Sequence, residues 1–201
     1  MLVRDLAMEV YRIINGGDVS DDSGLDLIDY MEEVQQVAAK KIQETFFNNY
    51  KAFGEAYIDE NYIEVYEENE ILYNEVQDVY YIKVPAPILM LPKGYGIQYI
   101  GLSQSLDSPF ARLTIGNQGI YANIPSDITS YIATQERIQF SNLPYGVKNL
   151  VVALVPAKPT NISEDDASDI KNEVVKRMLM SKGIIQDKVN NSNPTPTNNG
   201  Q

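Results

Sequence analysis

The stretch "LDLIDYMEEVQQVAAKKIQETFFNNYKAF", residues 25–53, decides the fold of this chain. Its apolar side chains recur at steps of three and four, which is the spacing of one face of an α-helix. At about 1.5 Å per residue, a helix of this length is roughly 43 Å long, and Gly54 predicts its C-terminal end. The apolar stripe consists of Leu27, Ile28, Met31, Val34, Ala38, Ile42, Phe46, Tyr50 and Phe53. One short helix cannot cover such a stripe, so it has to pack on the rest of the chain or on another copy. Because of its length, we expect that one subunit cannot cover it from within and that it is shared with other copies.

Two shorter amphipathic helices are predicted near the ends of the chain. Residues 2–15 carry apolar side chains at helical spacing and are followed by Gly16-Gly17, a pair that ends helices. Towards the other end, Ser163 is a typical N-cap, and the acids that follow it suit the positive end of the helix dipole. The apolar side chains of this last helix are Ile170, Val174, Val175, Met178 and Leu179.

The segment between the helices has the texture of a β-structure. It is rich in Tyr, Ile and Val and is divided by turn sequences such as "GNQG" and "LPYG". Short strands at such even intervals favour an antiparallel β-sandwich or a barrel-like body. Besides "YIEVYEENEILYNEVQDVYYIKV", which reads as strands, the predicted strands are Val79–Val84, Gly96–Gly101, Phe110–Ile115, Ile128–Ala133, Arg137–Phe140 and Leu150–Val155.

The predicted fold class is therefore α+β. An N-terminal helical region with a helical hairpin and one long helix covers residues 1–54, and the β-rich body covers 55–160. The C-terminal helix occupies 161–183 and a tail occupies 184–201. The tail contains "NNSNPTPTNNGQ", which has almost nothing apolar to bury, so we expect it to be disordered when alone.

Two loop motifs look like ligand-binding sequences but have simpler interpretations. The "GYG" of residues 94–96 lies between two apolar strand-like runs, whereas a phosphate-binding loop joins a strand to a helix, so we predict a turn. The acidic loop from Asp18 to Asp29 has oxygen ligands at some offsets of a calcium-binding loop. It has Ser23 where that loop needs glycine, and it ends in Asp instead of Glu, so helix capping is the better interpretation.

Composition narrows the available chemistry. The 201 residues include no Cys and no His, which excludes disulfides, His or Cys metal ligands, a histidine base and a thiolate nucleophile. Carboxylates are abundant, but they lie in charged runs such as "YEENE" and not in the apolar surroundings that tune catalytic acids. We therefore predict that the chain is not an enzyme, with no catalytic, metal-binding or cofactor-binding residue and no cofactor.

The charge balance disfavours a sequence-reading nucleic-acid binder. The net charge is −12, from 16 basic and 28 acidic residues, and two acidic clusters over 18–33 and 55–78 contain no basic residue. Such clusters are solvated faces, or surfaces that repel a polyanion or meet a basic partner. No apolar run approaches the length of about 18 residues that a membrane span needs. The N-terminus is too charged for a signal peptide, so we expect a soluble protein made in the cytoplasm and no membrane partner.

The order of parts is short helix, acidic loop, long helix, strand-rich body, second amphipathic helix and polar tail. The sequences that carry this order are "LDLIDYMEEVQQVAAKKIQETFFNNY" after the acidic loop, "VPAPILMLPKGYGIQYIGL", and "RIQFSNLPYGVKNLVVALV" before an acid-capped helix. The arrangement resembles the head-to-tail connector proteins of short-tailed phages, called adaptor or ring proteins. It is most similar to the ring proteins of the crAss-like phages. The resemblance covers most of the chain and brings no catalytic residue with it.

The resemblance implies a homo-oligomeric ring in the virion, commonly twelvefold, that stacks on the portal protein or on adjacent ring and tail proteins. Double-stranded DNA would pass through its middle without sequence recognition. The helical stripes would then meet neighbouring copies through Ile28, Met31, Val34, Ile42, Phe46, Tyr50, Ile170, Val174 and Met178. Acids could line the channel so that DNA slides past them. The candidates for this role are Glu64, Glu67, Glu68, Glu70 and Glu75.

Two other functions stay open at this point. One is a soluble β-sandwich of a phage tail that binds a small ligand or a glycan, which would be a stable monomer with glycan affinity. The other is a hydrolase that uses a pair of carboxylates, which would lose turnover when a single Asp or Glu is replaced.

Overall fold

A helical layer packs against a β-sandwich in the computed structural model, so the predicted α+β class is confirmed. The described helices are α1 (Val3–Ile14), α2 (Leu27–Phe53) and α3 (Glu164–Ser181). Each begins within three residues of its predicted start. The structure describes residues 1–16, 26–54, 57–102, 108–114 and 128–181. Most of the acidic loop that was compared with a calcium site, and the tail over 184–201, lie outside these ranges.

The two ends of α2 are set by local chemistry. At its start, the backbone N–H of Asp26 donates to Oδ2 of Asp29 at 2.8 Å, which satisfies a donor that the first turn leaves free. Asp29 thus has the capping role expected from the sequence. At its end, Gly54 adopts φ = 74°, and its N–H donates to the carbonyl of Tyr50 at 3.0 Å. This left-handed cap is what glycine supplies without a steric cost.

The first half of α2 is covered by α1 and α3. The rings of Tyr11 and Tyr30 meet edge to face with centroids 5.2 Å apart. The start of α1 is tied to the chain before α3, because Val3 N–H donates to the Thr160 carbonyl at 3.0 Å. The buried residues of this helical core are Val3, Leu6, Ala7, Val10, Tyr30, Val34, Val37, Ala38, Ile162, Ile170, Val174 and Met178.

The β-body consists of two sheets. Its described strands are β1 (Glu64–Glu70), β2 (Leu72–Asn74), β3 (Val79–Lys83), β4 (Ile97–Gly101), β5 (Ala111–Arg112), β6 (Ser130–Ala133), β7 (Arg137–Ser141) and β8 (Asn149–Leu154). One sheet has the order β1-β8-β4, and the other has the order β2-β3-β7-β6-β5. Side chains from both sheets form one buried core, as in a sandwich. This core contains Ile82, Ile97, Ile100, Tyr131, Ile138, Phe140, Leu150, Val152 and Leu154.

The predicted strands are found close to their expected positions, with three differences. The sheets are not closed into a barrel, so of the two predicted architectures only the sandwich applies. The body is also not wholly antiparallel, because β5 pairs with β6 in parallel, with Ala111 opposite Ser130. Within residues 108–114, the strand predicted from Phe110 is reduced to Ala111–Arg112. The "GYG" motif forms the predicted turn, at a 3-10 turn over Pro92–Gly94.

The second half of α2 packs on the β-body. Ile42 and Phe46 are buried there against residues that come from three separate parts of the body. These residues are Ile58, Tyr62, Leu89, Leu91 and Val155. The expectation that one subunit cannot cover the stripe of α2 is therefore wrong, because α1, α3 and the body cover most of it from within the same chain.

Candidate assembly surface

Most of the predicted interface residues are inaccessible to a second copy. Six of the nine are buried within the chain, so the prediction that they lie at a subunit interface is wrong. These six are Val34, Ile42, Phe46, Ile170, Val174 and Met178. The remaining three lie at the margins of the stripe. Ile28 is 67% exposed near the start of α2, whereas Met31 and Tyr50 are half-buried.

An exposed apolar surface begins where the stripe of α2 runs past the core. We call it the aromatic ridge; it comprises Phe47, Tyr50, Phe53, Met90 and Tyr95. Phe53 is 78% exposed and Met90 is 68% exposed. The buried ring of Phe46 joins the two chain segments, because it lies 5.4 Å from the ring of Tyr95 and 6.2 Å from that of Tyr50. Contiguous apolar exposure of this kind marks interaction sites more often than scattered single residues do.

Three cations border the aromatic ridge. Nζ of Lys93 donates to the hydroxyl of Tyr50 at 2.7 Å and lies 5.0 Å from the centroid of that ring. This hydrogen bond raises the pKa of Lys93. Nη1 of Arg112 donates to the carbonyl of Lys93 at 2.8 Å, and Lys51 is exposed beside Tyr50 on α2.

These three cations differ from several other surface cations in lacking an acidic partner within the described ranges. Within the described ranges, Lys51, Lys93 and Arg112 have no carboxylate within salt-bridge distance. By contrast, Lys158 pairs with Glu32 at 3.1 Å, and Arg177 pairs with both Glu33 and Glu173 at 2.9 Å. A positive patch of this kind in a chain of net charge −12 is suited to an acidic partner.

A groove of about 660 Å³ adjoins the ridge and shares Met90 with it. Its lining is mainly apolar and also includes Arg112 and Glu136. The lining residues are Pro87, Ile88, Leu89, Met90, Leu91, Gly94, Gly96, Ile97, Arg112, Ala133, Thr134, Gln135 and Glu136. A groove of this size and chemistry is within the range of ligand-binding and side-chain-binding sites.

The surroundings of the groove explain why residues 94 and 96 of the "GYG" motif are glycine. The guanidinium of Arg112 occupies the space that a Cβ on Gly94 would need, and Gly94 also has φ = 70°. A Cβ on Gly96 would meet the backbone carbonyl of Leu89. Sequence reasoning identified the turn but missed Arg112 and the groove. The two glycines spaced by one residue were the available signal, because such spacing often marks a close approach of other groups to the backbone.

The predicted channel acids do not form one equivalent set. Glu64 is half-buried and is used within the chain: it accepts from the Thr160 hydroxyl at 2.6 Å, from the Thr160 N–H at 3.0 Å and from the Tyr66 hydroxyl at 2.6 Å. Burial, followed by this hydrogen bond, raises the pKa of Tyr66. The other four acids are exposed, on the edge strand β1 and on the turn after β2: Glu67, Glu68, Glu70 and Glu75. On β1, exposed charges also discourage edge-to-edge pairing with other strands.

The turn between β2 and β3 projects further apolar side chains. Val76 is 96% exposed, and its N–H donates to Oδ1 of Asn74 at 3.0 Å, which orders the turn. The half-exposed rings of Tyr73 and Tyr80 lie 4.9 Å apart, and the Tyr73 hydroxyl donates to Asp78 at 2.7 Å. We call Tyr73, Glu75, Val76, Asp78 and Tyr80 the hairpin tip.

A polar network joins the start of α3 to the body. The hydroxyl of Ser163 donates to Oδ2 of Asp59 at 2.6 Å, and this hydrogen bond lowers the pKa of that carboxyl. The hydroxyl of Tyr62 donates to Asp166 at 2.8 Å, and burial is the main cause that raises the pKa of Tyr62. A carboxyl with a lowered pKa is ionised at neutral pH and is poorly suited to act as a general acid. The network therefore serves to fix α3 on the body.

Comparison with known proteins adds no family. Neither a scan against protein-family models nor a search of curated proteins found a match. Within the described ranges, the acidic side chains form no group of three that could hold a metal ion. Among the described helices, we find no apolar stretch of the length that a membrane span needs.

Proposed function

We propose that this chain is a structural subunit of the head-to-tail connector of a short-tailed phage. In this proposal it forms a ring in the virion, is made in the host cytoplasm, and stacks on the portal protein or on a neighbouring ring. The ring contributes to the channel that retains the packaged DNA and releases it. The arrangement of helices, sandwich and C-terminal helix that carries the resemblance supports the proposal.

The observation that carries the proposal is the aromatic ridge with its adjoining groove. The chain already buries the stripe of α2, so the exposed Phe47, Phe53 and Met90 are not an unfilled part of its own core. Exposure of these side chains costs solubility, which a protein tolerates where a partner covers them. Structural subunits have such partners on two or more sides.

Electron microscopy of the phage particle that contains this chain tests the proposal directly. We expect density for multiple copies in a closed ring beneath the portal. Native mass spectrometry with and without the purified portal protein gives a second reading, and we expect a ring or a portal complex. Absence of the chain from the connector region of the particle would contradict the proposal.

Three of the exposed acids, Glu67, Glu68 and Glu70 on β1, extend the proposal to the DNA channel. We expect that replacing all three by Gln slows genome ejection and leaves assembly intact, because DNA would bind where it now slides. Glu64 is left unchanged, since it holds Thr160 and its loss would disturb the fold. A matched control replaces three exposed helix acids by their amides, namely Asp5, Glu164 and Asp165, which form no ion pair within the described ranges. Unchanged ejection kinetics in the three-glutamine variant would contradict the channel role.

A second candidate function is a ligand-binding module, and the groove is the observation that favours it. An apolar lining with one guanidinium is suited to a small ligand that combines an apolar body with an anionic group. Nuclear magnetic resonance with a set of glycans and small carboxylic acids tests this candidate. Saturable shifts at Arg112 and Ile97, with the chain remaining monomeric when portal protein is added, would favour the module over the connector subunit.

A further inference from the structure

Two exposed surfaces of this chain have complementary chemistry. The hairpin tip is apolar and acidic: it presents Val76 between Glu75 and the Tyr73–Asp78 pair. The aromatic ridge and the groove are apolar and cationic, because Lys51, Lys93 and Arg112 lie among or beside their apolar side chains. A convex turn with one sign of charge therefore matches a concave site with the other sign.

The two surfaces are not partners within one chain. The hairpin is held by β7, through pairs such as Tyr80 opposite Phe140. The ridge consists of side chains of α2 and of the segment at Met90, which are joined by a hydrogen bond from Nε2 of Gln43 on α2 to the Met90 carbonyl at 3.4 Å. In the parts of the chain that the structure describes, the residues of the hairpin tip share no hydrogen bond, ion pair or ring contact with the ridge or the groove. Each surface is thus free to meet another molecule.

We infer that the hairpin tip of one copy docks into the groove and onto the aromatic ridge of the next copy. The inference rests on the proposed function and names one contact of the proposed ring. Because the two surfaces are different, the contact is head to tail, and repeating it closes a ring or extends a filament instead of ending at a dimer. Val76 fills the apolar groove, and Glu75 and Asp78 face Lys93 and Arg112.

Charge and polarity favour a second copy over nucleic acid as the occupant. DNA binding depends on neutralising several phosphates with cations, whereas the groove lining is mainly apolar and also carries Glu136. An apolar groove rewards an apolar side chain such as Val76, and the flanking cations reward carboxylates. The hairpin tip supplies both kinds of group on one ordered turn.

Disulfide cross-linking tests the contact cleanly, because the natural chain contains no Cys. An affinity-tagged Val76→Cys chain is mixed with an untagged Met90→Cys chain under mild oxidation. The control mixture replaces the first with Tyr145→Cys, since Tyr145 is fully exposed on another turn. We expect at least tenfold more tagged-to-untagged cross-linked dimer from the Val76 mixture. A yield equal to the control overturns the inference.

Charge reversal gives an independent reading. Lys93→Glu and Glu75→Lys are each expected to lower the cross-link yield at least threefold, and carrying both changes in every chain is expected to restore it. Lys176→Glu on α3 is the matched control, since Lys176 is exposed away from both surfaces. Losses that are not restored when both changes are combined would overturn the pairing of these charges.

The outcomes separate this contact from the proposed function. Rings in native mass spectrometry together with control-level cross-linking would remove the contact and leave the connector function. Specific cross-linking by a chain that is absent from the connector of the particle would keep the contact and remove the function. Rings and specific cross-links together support both.

Discussion

Replacing Phe46 by Ala is the sharpest test of how the long helix is covered. Phe46 is 1% exposed and contacts the rings of Tyr50 and Tyr95, so its loss leaves a cavity between α2 and the body. Truncation of a buried Phe costs about 3–5 kcal/mol. For a chain of this size, that corresponds to a fall in melting temperature of roughly 6–20 °C. The matched control is Phe47→Ala, on the next residue of the same helix and 44% exposed, for which we expect a loss below about 1 kcal/mol.

The assay is urea unfolding followed by circular dichroism at two protein concentrations well apart. If Phe46 is covered by its own chain, its destabilisation is the same at both concentrations, because no second copy takes part in the transition. Equal losses for Phe46→Ala and Phe47→Ala would refute the reasoning. A loss for Phe46→Ala that grows on dilution would also refute it, since it would place Phe46 between subunits as the sequence had suggested.

Two further substitutions test the turn and the network at α3. Gly94→Ala has to accommodate φ = 70° and to displace the guanidinium of Arg112. Its control is Gly146→Ala, at a position with φ = 84° and open space around it. We expect Gly94→Ala to lower the free energy of unfolding by about 1 kcal/mol or more beyond the control, and equal melting temperatures for the two variants would contradict this account. Ser163→Ala removes the main cause of the lowered pKa of Asp59. The stability that comes from a lowered carboxyl pKa is present above the unfolded value and is lost as the pH falls through the folded value. We therefore expect Ser163→Ala to unfold at lower urea than the natural chain at neutral pH, with the gap narrowing below the ordinary carboxyl pKa of 3.8; a gap that widens in acid would contradict the assignment.

The elements of this fold could be predicted because their signals are local. The apolar stripe of α2 repeats every three to four residues. The helix also carries its own start and end signals, in the capping carboxylate of Asp29 and in Gly54. The strands lie between turn sequences, and these sequences bend the chain independently of the residues that pack on the strands. Their pairing was less predictable: β5 runs parallel to β6, and nothing in "FARLTI" indicates its direction.

What covers the stripe depends on contacts between residues far apart in the chain. Ile42 and Phe46 are buried by Leu89 and Val155, and Val34 is buried in a core that includes Val174. A periodic sequence shows that a face has to be covered, but it does not show which segment covers it. The same limit applies to the groove, because Arg112 becomes meaningful only when the fold brings it onto Gly94.

Covering the stripe from within changes how assembly would work. A chain whose long helix was shared between copies would have no stable folded monomer, since several large apolar side chains would lie in water before assembly. Here the helical and sandwich cores are complete without a neighbour, and the exposed apolar groups are confined to small surfaces bordered by charges. Contacts of that size are weak one at a time, so they allow folded subunits to accumulate singly. Closure of a ring, or docking on a symmetric template such as a portal, then makes each further contact intramolecular and raises its effective concentration. The template-dependent assembly that this arrangement favours leads us to expect that the isolated chain is mainly monomeric, with head-to-tail contacts that form transiently and can be trapped by cross-linking, and that a stable ring forms only where a neighbouring ring is present.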